Sequence, residues 1–425
     1  MNKEQFIDAL ALLDDDIIEE TCQIRSRGKR RLKKTGIWAA AAAAACLALL
    51  TYAGYRIFPQ QAPGTPPNPP GVLVAPTSTP TQTPDVSPSL PLLPVATQAG
   101  DGMGYEGYMA FNISELVNAN PWDETMELTA LPVYQNTNPL KDGAVYTASG
   151  GKYTDNMREF LLDLAKRLDL DVSSLTITEE YADYAVDGRP DPIALIAQAN
   201  NLQIRVELDL YASISFDPPI ALPVEYNYTY DCSYRDCAET AEYLMREYAE
   251  LLGMEHPQIN IQGGDYNSEI DQSFSIRFYD GDEDDIARII NYNFYTTQFC
   301  SDPYGGLSLI WIYRPDLSQK VGDYPIITAD AAKELLCAGS YITSVPYAMP
   351  GADYIKKVEL IYRSSPIEEY FMPYYRFYVE LPDDIYIVER EDLSIPLNTY
   401  GAYYVPAIDS RYLTGMPVWD VEWAF

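Results

Sequence analysis

LQIRVELDLYASISF, residues 202–216, is the stretch on which the fold turns. Leu202, Ile204, Val206, Leu208, Leu210, Ala212, Ile214 and Phe216 alternate with Gln203, Arg205, Glu207, Asp209, Tyr211, Ser213 and Ser215 without a break. Successive side chains on a strand point to opposite faces, so the pattern predicts one half-buried antiparallel strand. At about 3.3 Å per residue it would run roughly 50 Å, which requires strong twist or a bend. Pro218-Pro219 closes it, because proline has no N–H for the ladder.

Outward from this strand the chain repeats. Residues 165–177 (AKRLDLDVSSLTI) and 249–261 (AELLGMEHPQINI) place Ala165/Ala249, Leu168/Leu252, Leu170/Met254, Leu175/Ile259 and Ile177/Ile261 in the same order. Phe160/Leu244, Leu161/Met245 and Leu164/Tyr248 extend the match upstream. Each block reads as an amphipathic helix, a short loop and a strand, followed by a further alternating strand (202–216 in one, Phe274, Ile276 and Phe278 in the other). A looser third unit starts at Ala331-Ala332 with Leu335-Leu336 and leads to Val358, Leu360 and Tyr362. Helices followed by antiparallel strands predict an α+β fold with helices laid on one sheet face.

Upstream lies a different kind of chain. Arg25, Arg27, Lys29, Arg30, Arg31, Lys33 and Lys34 run into Gly36-Ile37-Trp38, an alanine block and Cys46 to Tyr55. About twenty uncharged residues span a bilayer as one helix, and the basic flank stays inside. Residues 36–58 are therefore expected to be a single transmembrane helix, with tail 1–34 cytoplasmic and the large C-terminal part extracellular; a cleaved signal peptide is the alternative. In the tail, Phe6, Leu10, Leu13 and Ile17 form one helical stripe, either a docking face for a partner or a marginal helix. Residues 59–98 hold twelve prolines and one charge, Asp85. Such chain favours extended polyproline II, reaching on the order of 100 Å, and is expected to be a disordered stalk.

The formal net charge of −33 argues against nucleic acid as a partner. His256 is the single histidine, in a loop before Pro257. A serine or cysteine nucleophile would have to use it, and no nucleophile motif accompanies it. The spacing needed for zinc is missing too. Asp280, Asp282 and Asp284 match the opening of a calcium loop, but Asp285 and Asn291 stand where that loop needs glycine and a bidentate glutamate. Those acids read better as the start of a helix through Ile286, Ile289 and Ile290. No catalytic, metal or cofactor site is assigned, and the expectation is a protein that is not an enzyme. Cys232 and Cys237 are close enough in sequence for a local disulfide. Thirty-six tyrosines cluster late, with Tyr374, Tyr375, Tyr403 and Tyr404 open to two readings, strand composition or a binding face.

ITADAAKELLCAGSYITS (327–344), IKKVELIYR (355–363) and YFMPYYRFYVEL (370–381) resemble PepSY-like modules and accessory regulators of cell-wall sensor kinases. In such modules an alanine-rich helix precedes strands, the last with a proline–aromatic–Arg–Phe signature, here Pro373, Tyr374, Tyr375, Arg376 and Phe377. The whole plan is similar to membrane-anchored extracytoplasmic regulatory proteins of Gram-positive, clostridia-like bacteria. The resemblance implies a binding or regulatory unit and no catalytic residues. The expected organisation is tail 1–34, anchor 36–58, stalk 59–98, an N-terminal part of the head 99–150, repeats 151–225 and 226–322, and a PepSY-like unit 323–425. The expected function is a non-enzymatic sensor or regulator at the cell membrane, paired with an unidentified envelope or signalling protein. Phe6, Leu10, Leu13, Ile17, Tyr374, Tyr375, Arg376, Tyr403 and Tyr404 are its candidate partner-binding residues. A surface protein for wall glycan or peptide with a passive tail is the alternative, and an exported hydrolase a remote one.

Overall fold

A computed structural model describes residues 90–95, 105–137, 140–141, 145–146, 152–181, 192–267, 271–365, 368–382 and 397–419. The stripe Phe6, Leu10, Leu13 and Ile17 and the segment 36–58 lie outside the described residues. Among the described helices none is long and apolar enough to cross a membrane.

The fold is α+β, with the described α-helices laid against antiparallel sheet. Helix α1 (Lys152–Arg167) leads into strands β1 (Thr176–Glu180), β2 (Ala194–Ala199), β3 (Leu202–Glu207) and β4 (Tyr211–Ile220). Helices α2 (Tyr234–Glu247) and α3 (Ala249–Leu252) lead into β5 (Pro257–Tyr266), β6 (Gln272–Asp280), β7 (Thr296–Ser301) and β8 (Leu307–Tyr313), with α4 (Asp285–Phe294) inserted between β6 and β7. Each set of four strands is a meander. They join through their last strands into one eight-stranded sheet of order β5-β6-β7-β8-β4-β3-β2-β1. At the join Ile214 faces Ile310 and Ala212 faces Ile312.

The structure corrects the expectation of one long strand over 202–216. The chain reverses at Leu208-Asp209-Leu210, where the Leu210 N–H reaches the Glu207 carbonyl at 2.9 Å and the Asp209 carboxylate accepts the Tyr211 N–H at 3.0 Å. Leu210 sits at φ +60°, a left-handed position seldom taken by a branched residue. Alternation survives the turn because Leu202 pairs with Phe216, Ile204 with Ile214 and Val206 with Ala212. Even-numbered residues meet even-numbered ones, so both arms of the hairpin keep their apolar side chains on one face.

That face receives the helices. Leu161 and Leu164 of α1, Ala241 and Leu244 of α2, and Leu251 and Leu252 of α3 pack with Ile204, Ile214, Ile276, Phe278, Phe299, Ile310 and Ile312 in one core. The Ser233 hydroxyl accepts from the Asp236 N–H while the Asp236 carboxylate reaches back to the Ser233 N–H, a reciprocal cap that starts α2.

A second layer is built from β10 (Ile355–Tyr362), β11 (Pro373–Leu381) and β12 (Asn398–Pro406), with helix α5 (Ala329–Cys337) on β12. The far edge of β12 pairs with Ile342–Thr343 and Gly107–Ala110. Here the first strand after the helix pairs with the last, so this unit does not reproduce the meander order of the other two. Strand β9 (Lys320–Pro325) pairs instead with Ala130–Gln135, which also carries Tyr370–Phe371.

The expectation of a stalk over 59–98 needs correction at residues 90–95, while 59–89 and 96–98 lie outside the described residues. Leu93–Pro94 pairs in parallel with Leu413–Thr414, Leu93 is fully buried, and the Pro91 carbonyl accepts from the Tyr324 hydroxyl at 2.9 Å. Leu93 and Val95, with Leu90 packed beside them, interrupt the prolines with enough apolar surface to join the second layer.

The repeat sets a graded expectation for stability. Leu252 is 1% exposed, Leu168 is half-buried and Lys166 is exposed. Leu252→Asp should cost several kcal/mol, on the order of 3–5, because it drives a charge into the core. Leu168→Asp should cost less, and Lys166→Glu should stay within about 0.5 kcal/mol. Urea unfolding midpoints check this order, and equal losses at Leu252 and Lys166 would contradict the packing described.

Candidate functional site

Two features of the described surface and interior have the form of sites. The larger is a groove of ≈ 1050 Å³ between the 127–134 segment, α4 and the chain after β8. Leu128, Pro132, Tyr134, Ile290 and Leu317 give it an apolar floor, and Glu127, Asp284, Asp316 and Asp323 set four carboxylates around it against one cation, Lys320. Each acid is placed by local structure. Asp284 caps α4 by accepting the Ala287 N–H at 2.8 Å. Asp316 accepts the Ser318 N–H at 2.9 Å and lies 3.8 Å from Lys152. Asp323 pairs with Lys320 at 2.8 Å. Burial and then the Asp323 carboxylate push the Tyr134 phenol above its ordinary value.

The second is a cavity of ≈ 290 Å³ between the layers. It lies on the face of the large sheet turned away from α1, α2 and α3. Across that face Asn260, Arg277, Gln298, Trp311, Ser213 and Arg205 stand side by side on six neighbouring strands. Of these Arg277, Gln298 and Trp311 line the cavity, together with Tyr292 and Asn293 of α4 and Arg376 of β11 among others. The layers are laced together beside it by the 115–122 segment. Val117 exchanges backbone hydrogen bonds with Gly263 at 2.9 and 3.2 Å, and Ala119 N–H donates to Asn260 at 2.9 Å. On the other side Asn118 donates to Glu359 at 2.6 Å. This approach requires Gly264, at φ +97°, because a Cβ there would lie 1.8 Å from the Glu115 carbonyl oxygen.

Glu359 is the charged centre of the second layer. It is 2% exposed, yet Arg376 Nε lies 3.0 Å from Oε2, Arg376 Nη2 contacts the same oxygen, and Lys357 Nζ lies 2.7 Å from Oε1. Burial alone would raise this carboxyl; Arg376 and Lys357 outweigh it and hold it down at about 2.

The sequence-derived candidates divide. Tyr374, Tyr375, Tyr403 and Tyr404 do not form an exposed binding face, since all four are buried. Three of the four hydroxyls are absorbed internally: Tyr375 donates to Ile327 at 2.8 Å, Tyr403 to Tyr347 at 2.9 Å and Tyr404 to Glu106 at 2.6 Å. Tyr374 packs under the Arg363 guanidinium at 5.3 Å. The rings of Tyr375, Tyr403 and Tyr404 bury with partners at hand for their oxygens, which is the strand-composition reading, whereas the buried Tyr374 hydroxyl makes no hydrogen bond. Arg376 alone of that group reaches the interlayer cavity. Cys232 and Cys237 are buried free thiols with sulfurs 2.8 Å apart at the start of α2. His256 is an exposed loop residue whose backbone N–H donates to Asp280 at 2.7 Å. No cluster of three or more metal-ligating side chains occurs among the described residues. Glu127, Asp316 and Asp323 escaped sequence reasoning, as did Arg277, because a charge between Ile276 and Phe278 reads as an ordinary solvated position.

Glu359 makes a pH prediction. Its folded value is depressed from 4.5 to about 2, so its contribution is full above pH 4.5 and is lost as pH falls through about 2. At neutral pH Glu359→Gln should be destabilising by about 3 kcal/mol, since it strands Arg376. In urea titrations the gap between wild type and variant should close between pH 4.5 and 2. A constant gap over that window would mean that Glu359 is not ionised in the fold. No protein-family model and no curated protein matches the chain, so the groove, the cavity and the chain's own segments are the guides to function.

Proposed function

We propose that this chain is a non-enzymatic, membrane-tethered extracytoplasmic regulator that acts through protein–protein association at the cell envelope. The basic flank, the apolar stretch 36–58 and the proline-rich stretch that follows support the tether. The carrying observation for association is the groove, whose volume of ≈ 1050 Å³, apolar side chains and four carboxylates suit a segment of another protein better than a small molecule. Its occupant is an extended basic segment of an envelope protein, chosen by charge: carboxylates outnumber the one lining cation, and opposite charges steer encounter. A long proline-rich tether transmits no piston motion, so the signal passes by association with a separate signalling protein rather than by relay through the stalk.

A second reading has its own observation. Tyr230 and Tyr304 are 61% and 92% exposed on loops that meet where Gly305 lies against Thr229. Exposed rings of this kind suit a sugar face, which favours a wall-glycan binding protein.

The two readings separate with a peptide of alternating lysine and leucine, titrated onto the full chain in neutral detergent. Binding should weaken with salt and fall about tenfold or more in Glu127→Lys with Asp323→Lys. Glu242→Lys with Glu250→Lys, exposed acids on α2 and α3, changes the net charge equally and should leave binding unchanged. Equal losses in both double variants would mean that only overall charge attracts the peptide, and the groove assignment would fall.

A further inference from the structure

We propose that the interlayer cavity binds a small organic acid, one carboxylate without an accompanying ammonium group, through the guanidinium of Arg277. The first observation is an arginine without a partner. Arg277 Nε is buried and makes no hydrogen bond, and no carboxylate pairs with this side chain among the described residues. The chain is not short of acids, with 62 Asp and Glu against 29 Lys and Arg. Other arginines confirm that it uses them: Arg205 pairs with Glu180 and Glu207, Arg363 with Glu368, and Arg376 with Glu359. Burial pushes the Arg277 guanidinium below its ordinary value, and Arg376 nearby pushes the same way. A half-buried cation whose Nε is shut away from solvent without a partner is costly unless something else answers it.

The second observation is the space beside it. The cavity of ≈ 290 Å³ is at the small end of ligand pockets, the size of a compact acid rather than of a nucleotide or a peptide. Trp311 and Tyr211, with ring centroids 5.0 Å apart, give it an aromatic wall for the apolar part of such a molecule. Gln262 and Gln298 also line it, and their amides make only long contacts, 3.4 Å to the Tyr292 hydroxyl and 3.6 Å to the Cys300 sulfur. Both amides are therefore free to turn donors toward an anion at little loss.

The third observation is what the lining lacks. It holds Arg277 and Arg376 and no aspartate or glutamate. A free amino acid would bring its ammonium beside two guanidinium groups with no carboxylate in the lining to balance it, so the ligand is a plain or N-acylated acid. The planar fork of Arg277 fits a carboxylate through two parallel hydrogen bonds. This inference is independent of the groove, which lies on other residues.

The experiment uses the full chain in neutral detergent, with propionate, benzoate and 3-phenylpropionate as probes by calorimetry and thermal unfolding. Benzamide serves as the neutral match of benzoate, and inorganic phosphate as a different anion. At least one carboxylate should bind and raise the unfolding midpoint. Benzamide should bind about tenfold or more weakly than benzoate if benzoate is the carboxylate bound, and Arg277→Gln should lose carboxylate affinity by a similar factor. Arg277→Met should also lose it, yet unfold no more easily than the unliganded wild type, because it removes an unpaired charge rather than a structural tie. The proposal is overturned if none of the three carboxylates binds, if benzamide matches benzoate, if phosphate alone binds, or if Arg277→Met binds as wild type does.

Discussion

The antiparallel pairing of β4 with β8 is the contact on which the architecture depends. Each meander alone is a four-stranded sheet with one apolar face and a helix to cover it. Joined edge to edge, they share a single core in which Ile214 and Ile310 meet at the centre and the helices cover one continuous face. The join also removes two strand edges that would otherwise be open to pairing with another chain. Both flanking halves run helix first and meander second, so the strand that closes each half lies beside its counterpart and the arrangement has approximate two-fold character.

A sheet covered by helices on one side has a second side to account for. That side carries Tyr211, Gln262, Arg277, Gln298 and Trp311, too polar to pack dry and too aromatic for an ordinary solvated surface. The second layer stands over it, tied on by Val117, Asn118 and Ala119 and by α4, whose Ile289, Ile290 and Phe294 sit in the core of that layer. The Glu359–Arg376 pair then keeps a charged group inside the second layer without leaving it unanswered. Packing, polar lacing and one buried ion pair together hold a small polar space open between two well-filled cores.

How much of this was legible in the sequence follows from periodicity. Alternation located β3 and β4, and the spacing shared by Leu168 and Leu252 located both helices against one sheet. It did not reveal the turn at Asp209, since a hairpin that keeps residue parity looks the same as a continuous strand. It also missed the end of the stalk, where Leu93 and Val95 are too few to outweigh the prolines in composition. Asp284 was readable as a helix start because a cap is local. Arg277 was not, because the meaning of a charge on a strand depends on what another layer, a hundred residues away, places above it. The late tyrosines fitted strand composition and a binding face alike, and only the positions of Tyr347 and Glu106 show where the hydroxyls of Tyr403 and Tyr404 go.

The central claim, that the two meanders form one cooperative sheet through β4 and β8, is tested most directly by native-state hydrogen exchange on the full chain. The amides of Ala212, Ile214, Ile310 and Ile312 should belong to the most protected class and exchange only with global unfolding of both halves. Exchange of these amides through a lower-energy opening, with β1 to β3 and β5 to β7 each keeping separate protection, would show two independent units that merely touch.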